Sequence, residues 1–139
     1  MSNPFRSPPA YYLYVMHDSM YFKIGVSANP MKRCRECQTG NPNFINLVSQ
    51  VNCLTSINAY WLERRLQVYF LRNHVRGEWY RDLTAEAFTA GVKSALVVLD
   101  EKRFGAFKQA AAKIDVRGWP HDRKTLAEMH AQSHFLRKA

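Results

Sequence analysis

Two short runs rich in aromatic and β-branched residues, Tyr11 to Met16 and Tyr21 to Val26, flank the polar turn His17-Asp18-Ser19. Such side chains suit a pleated, half-buried surface, and a polar break this short between two such runs is a hairpin signal. The chain is therefore committed early to antiparallel sheet. Directly afterwards Asn29-Pro30 supplies a helix cap and a proline at the first helical position, and Gly40 supplies a stop. These signals bracket a helix over 30–38. Phe44 to Asn52 alternates again. A third strand is expected there, with Ile45, Leu47, Ser49 and Val51 on one face.

From Ser56 the spacing changes: Ala59, Leu62, Leu66 and Phe70 follow steps of three and four. This predicts an amphipathic helix over 56–74, running on toward Gly77. A short extended piece, Glu78 to Arg81, precedes Thr84, which can cap another helix. Beyond it the pattern is helical only, with one stripe at Phe88, Val92, Leu96 and Leu99 and a second at Phe104, Phe107, Ala111 and Ile114. A weaker third stripe spans Leu126 to Leu136, after the breaker Gly118-Trp119-Pro120. The expected fold class is α+β: a small three-stranded antiparallel sheet flanked by helices, with a C-terminal helical extension. Residues 1–10 read as a flexible arm, 11–83 as the core and 84–139 as the extension. Phe88, Phe104, Phe107 and Trp119 are many large groups for short helices to bury, so a homodimer through the extension is an expectation.

A chain that is 47% hydrophobic and 13% aromatic can bury a core without disulfides. Its 20 Lys+Arg against 11 Asp+Glu give a net charge of +9, which calls for an acidic partner: a nucleic acid or an anionic membrane surface. Residues 1–83 carry ten basic and five acidic side chains and the remainder ten and six, so the excess belongs to both parts. The longest aliphatic run, Ala95 to Leu99, falls far short of the roughly 20 residues that span a bilayer. Met1 to Pro9 holds three prolines and no apolar stretch of a secretory signal. An intracellular, non-secreted protein with reduced thiols at Cys34, Cys37 and Cys53 is expected.

The order of landmarks in residues 11–83 resembles the GIY-YIG nuclease family. Tyr12-Leu13-Tyr14 stands at the first tripeptide and Lys23-Ile24-Gly25 at the second; Arg33 follows on the first helix, and Glu63 lies in Trp61-Leu62-Glu63-Arg64-Arg65-Leu66. With Gln38-Thr39-Gly40-Asn41-Pro42 and Gly77-Glu78-Trp79-Tyr80, the string is similar to the phage-type DNA-binding branch. The resemblance implies a metal-dependent endonuclease acting on DNA. It implies that Tyr14 orients or deprotonates the attacking water, that Lys23 lowers the Tyr14 pKa, that Arg33 clamps the scissile phosphate and that Glu63 holds one Mg²⁺ or Mn²⁺. Arg35, Gln38, Thr39, Arg64 and Arg65 are the candidate DNA contacts, and Tyr12 and Gly25 are structural parts of the motif. Lys23 replaces the second tyrosine of most members and Tyr12 replaces a glycine. Asn73 and His74 lie nearest to the asparagine that many members carry on a late helix.

Each signal also has a plain structural reading. Tyr14 suits any half-buried strand, Arg33 suits a surface pair with Glu36, and Glu63 suits a buried pair with a nearby arginine. Gly25 reads as a turn, Trp79 and Tyr80 as core. Cys34-Arg35-Glu36-Cys37 has the spacing of half a zinc site, and His130 and His134 stand four apart, but ordinary helix residues account for both. Three functions remain open on the residues: an endonuclease, a non-cleaving DNA-binding module of the same fold, and a protein-interaction module whose charge serves solubility.

Overall fold

The computed structural model describes residues 10–120. The N-terminal arm, the stripe beyond Leu126, His130 and His134 lie outside them. The architecture is α+β, with a five-stranded antiparallel sheet and four helices. Strands β1 (Tyr12–His17) and β2 (Phe22–Ser27) form the expected hairpin. Its turn is held by Asp18, whose Oδ1 accepts from the amides of Met20 (3.1 Å) and Tyr21 (2.7 Å) while Ser19 takes a positive φ of 87°. Helix α1 (Pro30–Gln38) opens where predicted, with the Asn29 side chain accepting from Lys32 N. Strand β3 (Asn46–Asn52) returns along the other side of β1.

Helix α2 (Ser56–Tyr69) is capped by Thr55 and stops well before residue 74. The expected final turn is instead a single 3₁₀ turn, Leu71–Asn73, leading into strand β4 (His74–Arg76), which pairs with β5 (Trp79–Tyr80). Gly77, at φ 55°, closes this hairpin, and Asn73 pins its base through Nδ2 to the Arg81 carbonyl at 3.0 Å. Cross-strand bonding outweighs the helical spacing because β5 adds onto β2 and extends the sheet. The three expected strands thus become five, in the order β3-β1-β2-β5-β4. Helices α3 (Ala85–Val97) and α4 (Glu101–Ala111) are capped by Thr84 and Asp100. None of the described helices is long and apolar enough to cross a membrane.

The alternation along β1 separates the two sides of the sheet. Leu13 and Val15 join a core with Ala59, Leu62 and Leu66 of α2, Phe88 and Val92 of α3, and Phe107 of α4. Tyr14 and Met16 instead meet Cys34 of α1 and Ile45. The third strand does not keep one phase: a register shift opposite Val15 and Met16 sends Leu47 to the α1 side and Val48 and Val51 to the α2 side. A bulge adds one residue to one strand, and with a side-chain period of two that reverses the faces beyond it. Phe88 and Phe107 are buried in this core, and Trp119 stacks on both Phe22 and Phe88, with ring centroids 5.2 and 5.1 Å away.

Candidate active site

Tyr14 is only 1% exposed, and its partner across the hairpin is Gly25. A β-carbon on residue 25 would stand 2.5 Å from Tyr14 Cζ, closer than atoms can approach, so the ring occupies the space a side chain would need. Gly25 therefore serves a close approach inside β2. It is not the turn glycine expected from its position before a helix, for only Gly40 and Gly77 among the described glycines have positive φ.

Lys23 precedes Gly25 by two positions on β2 and so shares the Tyr14 face. It is 8% exposed, and its ammonium pairs with Glu78 Oε2 in the β4–β5 turn, whose carbonyl also accepts from Ile24 N at 3.0 Å. From α1, Arg33 reaches toward the Tyr14 hydroxyl while bonding Glu36 Oε2 at 3.2 Å. Burial pushes the Tyr14 phenol above its ordinary value; Lys23 and then Arg33 oppose that rise, and Glu78 and Cys37 add to it. A tyrosine among two cations can hold or pass a proton more easily than burial alone would allow.

Glu63 approaches Lys23 and Glu78 from α2. It is half-buried, and its Oε2 is buried without a hydrogen-bond partner among the described residues. Burial raises its pKa most, Glu78 raises it further, and Lys23 and Arg64 pull it down. An orphaned carboxylate oxygen beside a second carboxylate suits a hard divalent cation, since Mg²⁺ is commonly held by one or two carboxylates with water and substrate oxygens. Among the described residues no three His, Cys, Asp or Glu gather as a metal cluster. In the sequence Glu78 stands only as one residue of Gly77-Glu78-Trp79-Tyr80. Nothing local reveals its role, because the ion pair with Lys23 spans 55 positions of the chain.

The family model of the T5orf172 domain matches residues 10–98, well over half of the 139. The chain belongs to the T5orf172 domain family. This is a phage-associated domain with a nuclease-like fold. No curated protein matches the chain, and no solved structure does.

The matched T5orf172 span contains every site residue expected from the sequence, but they do not all converge. Tyr14, Lys23 and Arg33 come together on the α1 side of β2, and Glu63 is linked to them through Lys23 and Glu78 and not by a contact with Tyr14 or Arg33. Tyr12 pairs with Ser27 and Asn52, and Arg35 is exposed on the last turn of α1. The Gln38 side chain is taken up in the loop it precedes, donating to the carbonyls of Asn41 (3.3 Å) and Asn43 (2.8 Å) and accepting from Ile45 N (2.7 Å). Thr39 is exposed, its hydroxyl 3.4 Å from the Arg35 carbonyl. Arg64 and Arg65 lie on the outer side of α2, and Arg65 covers the Trp61 ring at 5.3 Å. All three thiols are free; Cys34 and Cys53 are buried, and burial holds Cys53 up at about 11, so neither is a ready thiolate.

Proposed function

We propose that this T5orf172 domain is a metal-dependent endonuclease that hydrolyses DNA phosphodiester bonds through one GIY-YIG-type site, using a single Mg²⁺ or Mn²⁺. The observation that carries the reading is a buried tyrosine set between the cations Lys23 and Arg33, with the orphaned carboxylate oxygen of Glu63 acting on the same Lys23–Glu78 pair.

In this reading Arg33 leaves Glu36 for the scissile phosphate, where its planar fork of donors matches two phosphate oxygens. Tyr14 orients the attacking water and accepts its proton, helped by the Lys23 ammonium, which favours the ionised phenol. The water oxygen bonds to phosphorus as the bond to the leaving oxygen breaks, and solvent returns a proton to that oxygen. Glu63, with Glu78 beside it, would hold the ion, which when bound supplies charge neutralisation at the phosphate and the leaving group. The excess of +9 supports binding to the DNA backbone, and such a substrate implies an intracellular setting.

A second reading, a DNA-binding module without turnover, draws on a specific feature. Lys23 is already neutralised by Glu78, and the Tyr14 ring is sealed between Gly25 and α1. A cleavage time course on labelled single-stranded, duplex and branched DNA and on RNA separates the readings, with Mg²⁺, Mn²⁺ or EDTA and with wild type and Glu63→Ala. Metal-dependent cutting that the variant lacks is the expected result. Salt-sensitive binding without cutting would leave the second reading, and neither activity would overturn both.

A further inference from the structure

Beside the candidate site lies a hollow that the reaction scheme does not use. It has a volume of about 360 Å³, within the range of small-molecule sites, and its walls include Tyr11, Ser27, Lys32, Arg33, Glu36 and Tyr60. It opens where the end of β2, the start of α1 and α2 come together.

Its chemistry is that of a nucleotide. Tyr60 is 52% exposed, on a helix whose core side is already filled by Ala59, Leu62 and Leu66, so its ring is free to meet a ligand in the hollow. Lys32 and Arg33 bring two cations to the same wall, against the single carboxylate of Glu36, to which Arg33 is bonded at 3.2 Å until a phosphate draws it away. An aromatic face with adjacent cations is the pairing that proteins use to stack a base and neutralise its phosphate.

The hollow is also in register with the site. Tyr60 and Glu63 stand three apart on α2 and therefore on one face, and Arg33 both lines the hollow and reaches Tyr14. A strand whose scissile phosphate lies on Arg33 would place its neighbouring nucleotide here. In a duplex that base is stacked between its neighbours and cannot present its face to a side chain.

The geometry points to a subsite that takes one unpaired nucleotide of a DNA strand, its base stacked on Tyr60 and its phosphate between Lys32 and Arg33. This rests on the DNA reading above and names its substrate form: a single strand, or a duplex carrying an unpaired base. It holds for a cleaving and for a non-cleaving domain alike.

The test is binding in EDTA at low salt, read by fluorescence anisotropy of a labelled single-stranded oligonucleotide and of its blunt duplex. Wild type is compared with Tyr60→Ala, Tyr60→Phe and Arg64→Ala. Because Tyr60 is exposed, its replacement spares the core. Tyr60→Ala should weaken single-strand binding by about five- to a hundredfold, the span of one lost base–aromatic stack, and duplex binding by less than about twofold. Tyr60→Phe should keep wild-type affinity, and Arg64→Ala should weaken both forms alike. A strand with 2-aminopurine should lose fluorescence on binding wild type and keep it with Tyr60→Ala. Equal losses on both DNA forms, or no loss, would overturn the subsite while leaving DNA binding intact; a wild type that binds neither form would overturn the DNA reading and the subsite with it.

Discussion

The Tyr14 ring fills the space that a side chain on Gly25 would need, with 2.5 Å between Tyr14 Cζ and the place of a β-carbon. The two residues face each other across β1 and β2, so one methyl group there forces the ring or the strand to move. Gly25→Ala should destabilise the fold by about 1–3 kcal/mol, the usual effect of overpacking a filled site. Tyr14→Ala should also destabilise, through the void it leaves. The double variant should lose less than the sum of the two, because each change relieves the other. Urea unfolding of all four proteins measures the coupling, and strict additivity would show that the contact carries no strain.

Glu63 keeps a buried carboxylate oxygen without a donor among the described residues, an arrangement that costs stability. Its pKa is raised in the fold, so the folded protein binds more protons than the unfolded chain between the two values. The stability contributed by the protonated group is present below the ordinary carboxyl range and lost as pH rises through the raised value. In metal-free buffer Glu63→Gln should therefore be more stable than wild type at neutral pH, by about 1 kcal/mol, and its advantage should shrink toward pH 4. Thermal melts across pH check this, and a variant less stable than wild type at pH 7 would assign Glu63 a structural partner instead.

Glu78 answers the charge of Lys23 and also acts on Tyr14. The groups facing the Tyr14 phenol are Lys23 from β2, Arg33 and Cys37 from α1, and Glu78 from the β4–β5 turn. Glu78→Gln leaves the Lys23 ammonium uncompensated, so the phenol should ionise at lower pH than in wild type. Lys23→Met should shift it upward. NMR titration of labelled tyrosine reads both, whether or not the protein cuts DNA, and identical titrations in all three proteins would remove Glu78 from the site.

The parts of this fold that were legible in the sequence are those specified locally. Asn29-Pro30, Thr84 and the Asp18 turn each use neighbours within a few residues, and all three stand where the sequence puts them. The misread parts depend on distant partners. Phe70 continues a helical spacing, yet β4 forms because β5 pairs it onto β2. Val48 breaks the alternation because β1 and β3 pair through a bulge, which no pattern within β3 records. At the site, the tripeptides and Glu63 could be located by their order along the chain. Glu78 and Tyr60 could not, because a salt bridge across 55 positions and a hollow between two helices are products of the tertiary fold.

Arg64 and Arg65 project from the outer side of α2, where their charges are exposed. Contacts of this kind act through displaced counterions and not through sequence. If both touch phosphates, the slope of log affinity against log salt should fall by about one for each arginine replaced by alanine. Arg65 also covers Trp61, so Arg65→Ala should cost some stability through lost packing, whereas Arg64→Ala should not. Anisotropy at several salt concentrations gives the slopes, and an unchanged slope in both variants would move the DNA path away from α2.

His17 closes β1 with its Nε2 buried and unpartnered among the described residues, packed against Phe22 at 4.5 Å between ring centroids. Burial lowers its pKa, and the neighbouring Asp18 opposes the shift without reversing it. The Asp18 carboxylate is engaged by the Met20 and Tyr21 amides. Because the folded value lies below the unfolded one, stability is full above the ordinary histidine range and is lost as pH falls through the depressed value. Wild type should therefore melt earlier as pH drops below about 6.5. His17→Phe, which has no proton to gain, should flatten that acid limb, while Glu63→Gln should leave it in place, since the Glu63 contribution has the opposite sign. Melting both variants from pH 8 to pH 5 separates the two groups, and an acid limb that survives His17→Phe would place the sensitivity elsewhere in the chain.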